Sequence, residues 1–100
     1  MLTFDKVFQV LSDYLAADTE VDAVKTKYGY VVLYWESVHQ EWICPKTCLT
    51  PESLFEELLS AYDFFRVFPI TRGDGELPAE IRAEIDEEMN QFRARLNKLL

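Results

Sequence analysis

The spacing of apolar positions changes period twice along this chain, and the changes mark out its elements. From Thr3 to Ala17, Phe4, Val7, Phe8, Leu11, Tyr14 and Leu15 recur every three or four residues, which predicts a helix with one apolar face. Thr3 suits the N-cap and Asp5 the positive end of the helix dipole. The polar run Asp18-Thr19-Glu20 ends this helix, and the period then falls to two. Strands are expected at about 22–27, 30–36 and 41–45. Tyr28-Gly29 marks a tight turn, with Gly29 supplying a positive φ, and Ser37 to Gln40 a second, polar connection. Pro45 has no N–H and is expected to end the pairing of the third strand.

A two-residue turn at Tyr28-Gly29 sets Thr26 opposite Val31 and Val24 opposite Leu33. A second turn centred on Val38-His39 sets Trp35 opposite Trp42 and Leu33 opposite Cys44. One sheet face then carries Val24, Val31, Leu33, Trp35, Trp42 and Cys44, and hydrophobicity assigns it to the core. The other carries Lys25, Lys27, Tyr30, Val32, Tyr34 and Ile43 and is expected to be mixed and half-wet. A slip of one residue would exchange the two faces.

The helical period returns at Thr50. Thr50 is the expected N-cap, Pro51 the first helical residue and Glu52 the first-turn acid, with Leu49 and Leu54 placed to form a hydrophobic staple. This helix is expected at about 51–68, stopped by Pro69. Its end, Phe64-Phe65-Arg66-Val67-Phe68, is apolar on nearly all sides, so it demands burial in the monomer or against a partner. Gly73 and Gly75 punctuate a loop. A last helix at about 78–98 has acids early, Arg93, Arg95 and Lys98 late, and an apolar seam of Ile85, Met89, Phe92, Leu96 and Leu99. The order α-β-β-β-α-α predicts an α+β domain, a three-stranded antiparallel meander covered by helices.

One hundred residues, 49% of them hydrophobic, suffice for a single domain with an ordinary core. The net charge of −8 disfavours nucleic acid and anionic lipid as partners. No apolar run approaches membrane-spanning length, and Asp5, Lys6 and Asp13 interrupt any leader-like segment. A cytoplasmic protein with reduced thiols is the expectation.

The pieces Asp13-Tyr14-Leu15-Ala16, Gly29-Tyr30-Val31-Val32-Leu33-Tyr34-Trp35-Glu36 and Thr50-Pro51-Glu52-Ser53-Leu54 give the chain its family likeness. They resemble a loose group of short, uncharacterised bacterial proteins associated with mobile genetic elements. The resemblance spans roughly the first two-thirds of the chain and rests on a turn glycine, a strand and a helix cap. It implies no activity and no site residue.

Chemistry-bearing residues are few. His39, Cys44 and Cys48 fall within ten positions, but a structural zinc site takes four ligands, and Cys44 is assigned to the core. A Cys-His pair would be split between a hairpin tip and the strand leaving it, which is poor geometry for a nucleophile. Glu80, Glu84 and either Glu87 or Glu88 line one side of the last helix and read as a solvated stripe. Arg72-Gly73-Asp74 reads as a turn, and Lys25 and Lys27 interleaved with Tyr30 and Tyr34 as a weak single-strand-binding pattern.

No enzyme, metal or cofactor is therefore expected. The leading expectation is an accessory or adaptor protein that works by protein–protein binding; its seam of Ile85, Met89, Phe92, Leu96 and Leu99 can pack within the monomer, form a homodimer or take a partner helix, and Tyr30 and Tyr34 are a further candidate surface. The alternatives are an acidic nucleic-acid mimic that inhibits a DNA-binding enzyme, and a small-molecule-binding domain or enzyme.

Overall fold

A computed structural model describes residues 1–100. The order is α1 (Phe4–Ala17), β1 (Val21–Thr26), β2 (Gly29–Glu36), β3 (Glu41–Cys48), α2 (Pro51–Thr71) and α3 (Ala79–Lys98). The strands form one antiparallel sheet in the order β1-β2-β3, so the chain is an α+β domain. Its extents are 39 × 36 × 18 Å, a slab with the helices on one side of the sheet.

Local signals set the helix starts. The Thr3 hydroxyl accepts from the Lys6 N–H at 3.2 Å and caps α1. At α2, Thr50 Oγ1 accepts from the Ser53 N–H at 3.1 Å, and Ser53 Oγ accepts from the Thr50 N–H at 3.2 Å, a reciprocal capping box. Leu54 is buried but Leu49 is 62% exposed, so the expected staple leaves one partner in solvent. Pro69 does not stop α2. The helix runs two residues further to Thr71, and Arg72 in the left-handed region closes it through its N–H to the Phe68 carbonyl. Proline disrupts a helix mainly by blocking the carbonyl one turn back, and near the C-terminus few bonds remain to lose.

Both hairpins form with small departures from expectation. At the first, Thr26 pairs with Gly29, so Lys27 and Tyr28 make the tip and the register moves by two residues, setting Val24 opposite Val31. Gly29 has φ +147°, and a Cβ there would lie 2.4 Å from the Cys48 carbonyl oxygen, so no other residue fits without backbone movement. At the second, Trp35 pairs with Trp42 as expected, the rings meeting edge to face at 5.1 Å. Here the Glu36 carboxylate accepts from the Val38 and His39 N–H groups at 2.9 and 2.7 Å. Those bonds, that from the His39 backbone foremost, hold it below the usual carboxylate range. Pro45 does not end β3. A bulge between the Val32 and Tyr34 pairings, with Cys44 at φ +53°, absorbs the proline, and pairing resumes at Lys46 opposite Val32.

The sheet faces are the main correction. Apart from Cys44, which sits at the bulge and lines the helix-side groove, the two sets of residues separate as the alternation predicts, but the helices cover the set expected to be wet. Val32 is fully buried, Val21 and Cys48 nearly so, and Ala23, Tyr30 and Tyr34 pack against the core. Tyr30 meets Phe4 and Phe8 of α1 with ring centroids 5.0 and 4.8 Å apart. Val24, Val31, Leu33, Trp35 and Trp42, assigned to the core by hydrophobicity, lie on the face with no helix against it. Cys44 is exposed rather than buried. Alternation fixes which residues share a face, not which face receives the helices.

The core itself joins Val7, Val10, Leu11 and Tyr14 of α1 to Leu54, Phe55, Leu58 and Leu59 of α2. The α3 seam closes against both helices. Ile85, Phe92 and Leu96 are buried, and Met89 and Leu99 pack against the core, with Phe92 edge-on to Tyr62 at 4.9 Å. Arg66 of α2 pairs with Glu88, and Arg82 of α3 pairs with Asp63 of α2 and, at 2.8 Å, with Asp86.

Candidate functional site

The helices leave one part of their side of the sheet unfilled. α2 carries two stripes: the one containing Leu54, Leu58 and Phe65 packs into the core, and a second, with Glu57, Ser60, Phe64 and Phe68, looks over the sheet's end. Positions three and four apart share a helix face, so residues 57, 60 or 61, 64 and 68 fall in line. Opposite them stand Tyr34 and Ile43, a cross-strand pair, with Lys46 and Cys44 beyond. The turn out of α1, Ala17 to Glu20, closes the third side. Together these bound a groove of about 700 Å3.

Its lining is mostly apolar. Phe64 and Phe68 stack at 5.1 Å and 24° and remain 61% and 42% exposed. Two of its carboxylates already accept hydrogen bonds from tyrosines. Tyr34 Oη donates to Glu57 Oε2 at 2.5 Å. Burial, then that bond, then the carboxylate's charge push the Tyr34 phenol well above its usual value. Tyr14 Oη donates to Asp18 Oδ2 at 2.7 Å, and burial followed by that bond raises the Tyr14 phenol likewise. The groove's charges are Asp18, Glu20 and Glu57 against Lys46, so its local field is negative.

This arrangement suits binding. His39, the single histidine, stands at the β2–β3 tip against Glu36 at 2.7 Å with its side chain 75% exposed, and no nucleophile joins them. Cys44 and Cys48 are free thiols, and burial followed by the Glu57 charge raises that of Cys48, outweighing a bond with Ser53. No group of three or more His, Cys, Asp or Glu side chains is placed to hold a metal ion. No helix is long and apolar enough to cross a membrane.

Of the residues singled out from sequence, the structure brings Tyr34 to the groove floor, sets Tyr30 on α1 and spends the α3 seam inside the monomer. The acidic stripe of α3 is partly neutralised, since Glu84 and Glu88 both lie beside Arg66. Phe64, Phe68, Glu57 and Ile43 join the site without having been chosen for it. The run Phe64 to Phe68 carried the signal, because it held more apolar surface than one helix face can bury. No family model, curated protein or solved structure matches this chain.

Proposed function

We propose that this chain is a small accessory or adaptor protein that acts by binding another protein, and that the groove beside α2 is its docking site. The observation that supports this reading is the stacked pair Phe64 and Phe68. Two phenylalanines, 61% and 42% exposed beside an apolar groove, cost hydration free energy until a partner covers them. The partner segment that fits is an amphipathic stretch with apolar anchors for the groove and lysine or arginine at its flank, facing Asp18, Glu20 and Glu57. The two free thiols, one of them exposed, are in keeping with a reducing, cytoplasmic setting.

The test compares the chain with a Phe64→Ser/Phe68→Ser variant as bait in lysate of the source cell. Both side chains are exposed, so the variant should fold with an unchanged melting temperature. The expected result is a protein retained through a high-salt wash by the parent chain and lost by the variant. Equal capture by both defeats the groove as docking site. A partner from nucleic-acid machinery that salt alone releases would favour the acidic mimic instead. Stabilisation by a small molecule with no protein captured would favour a ligand-binding domain, for which about 700 Å3 is an ordinary size.

A further inference from the structure

The groove beside α2 keeps its free charges at opposite corners. Two of its charged side chains already hold partners within the chain. Asp18 accepts from the Tyr14 hydroxyl and the Glu20 N–H, and Glu57 accepts from the Tyr34 hydroxyl. The other two, Glu20 and Lys46, are exposed and form no ion pair. Strand register fixes how far apart they stand. The Glu20 carbonyl accepts from the Trp35 N–H at 2.8 Å, which sets Glu20 on the β1 side of β2. Lys46 pairs with Val32 from the β3 side. Two strand spacings across the sheet are about 10 Å and three residues along β2 about 10 Å more, so the two backbones lie roughly 14 Å apart. The apolar pair Tyr34 and Ile43 occupies a row between them.

We propose that the protein segment taken by this groove is charge-polarised and docks in one direction. It carries a lysine or arginine at one end of its apolar run, for Glu20, and an aspartate or glutamate at the other, for Lys46. The inference rests on the reading of the groove as a protein-docking site and adds an acid and a direction to the partner. Apolar contact with Phe64 and Phe68 is non-directional, so it anchors the segment without orienting it. Orientation falls to the two free charges. Docked one way, the segment meets an opposite charge at each corner. Docked the other way, it sets base against Lys46 and acid against Glu20, two repulsions in place of two attractions. A segment basic at both ends is drawn by the net charge of −8 but must bring a cation up to Lys46. The acid at that end is therefore what separates the right partner from any basic peptide.

The probe is a phage-displayed library of random peptides, selected on the full-length chain and then screened on Phe64→Ser/Phe68→Ser. The expected result is a set of peptides lost by that variant, each with an apolar run between a base and an acid in one shared order. Binding of one such peptide is then measured by fluorescence anisotropy at low salt. Glu20→Lys should weaken it about threefold to tenfold, and replacing the peptide's base by glutamate should restore it. Lys46→Glu is the deciding variant. It makes the chain more acidic, so it strengthens a peptide held for positive charge alone, but it should weaken by about threefold or more a peptide whose acid meets Lys46. Both side chains are exposed and outside every ion pair, so melting temperatures should not move. Glu20→Lys/Lys46→Glu leaves the net charge unchanged and should select peptides of the opposite order. Peptides that need the phenylalanines but come in both orders, are basic at both ends, or bind Lys46→Glu more tightly overturn the polarity while leaving the groove as docking site. Enrichment indifferent to the phenylalanines, or none, overturns both.

Discussion

Val32 and Leu33 are neighbours in β2, similar in hydrophobicity and opposite in fate: one is fully buried beneath helices, the other stands on the uncovered face. The faces they belong to differ in kind. The covered face carries tyrosines whose hydroxyls need partners, and α2 supplies one, Glu57 for Tyr34, while α1 supplies Phe4 and Phe8 for the Tyr30 ring. The uncovered face carries side chains that need only to leave water. A sheet with two apolar faces and helices for one of them retains its interface capacity on the other.

The largest expected effect breaks the comparison directly. Val32→Asp puts an unpaired carboxylate among α1 and α2 and should cost at least about 4 kcal/mol, enough to unfold a domain of ordinary stability. Val24→Asp, one strand away on the other face, should change monomer stability by no more than about 1 kcal/mol. Urea unfolding of dilute samples measures both. Similar losses for the two variants would mean that both faces are buried alike.

The thiols sharpen the contrast at a finer scale. Cys44 and Cys48 are four residues apart across the bulge, one exposed and the other 2% exposed with its thiol pushed up by burial. A thiol reagent should therefore modify Cys44 in the native protein and reach Cys48 only when the sheet opens, at a rate that follows unfolding. Equal rates for both would show that the helix side opens readily at β3.

The smallest effect depends on pH. The phenols of Tyr14 and Tyr34 are raised in the folded chain above their ordinary value of 10.0. An acid raised by folding contributes stability that is whole below its unfolded value and is lost as pH rises above it. The melting temperature should thus fall above about pH 10. Tyr34→Phe should flatten that fall while costing about 1 kcal/mol at neutral pH for the lost hydrogen bond.

Much of the fold was legible along the chain because its signals are local. Thr50, Pro51 and Ser53 start α2 through contacts made within one turn, and Trp35 opposite Trp42 follows from the loop between them. Pro45 and Pro69 were misread as stops because each rule describes a regular element, whereas a bulge accommodates the first and a helix end the second. The site was only partly legible. The Phe64 to Phe68 run announced surplus apolar surface, but Tyr34, Glu57 and Phe64 are far apart in sequence, and no spacing rule joins them into one groove.

By itself, then, the sequence determined the elements, their order, which strands pair as hairpins and, outside the β3 bulge, the division of the sheet residues into two sets, since each depends on periods and turns a few residues long. Tertiary structure alone decided which set the helices cover and that the α3 seam closes within the monomer. Those outcomes turn on where α1, α2 and α3 dock, a choice made by long-range packing in which tyrosine rings, hydroxyl partners and helix spacing outweighed the greater hydrophobicity of the face left open.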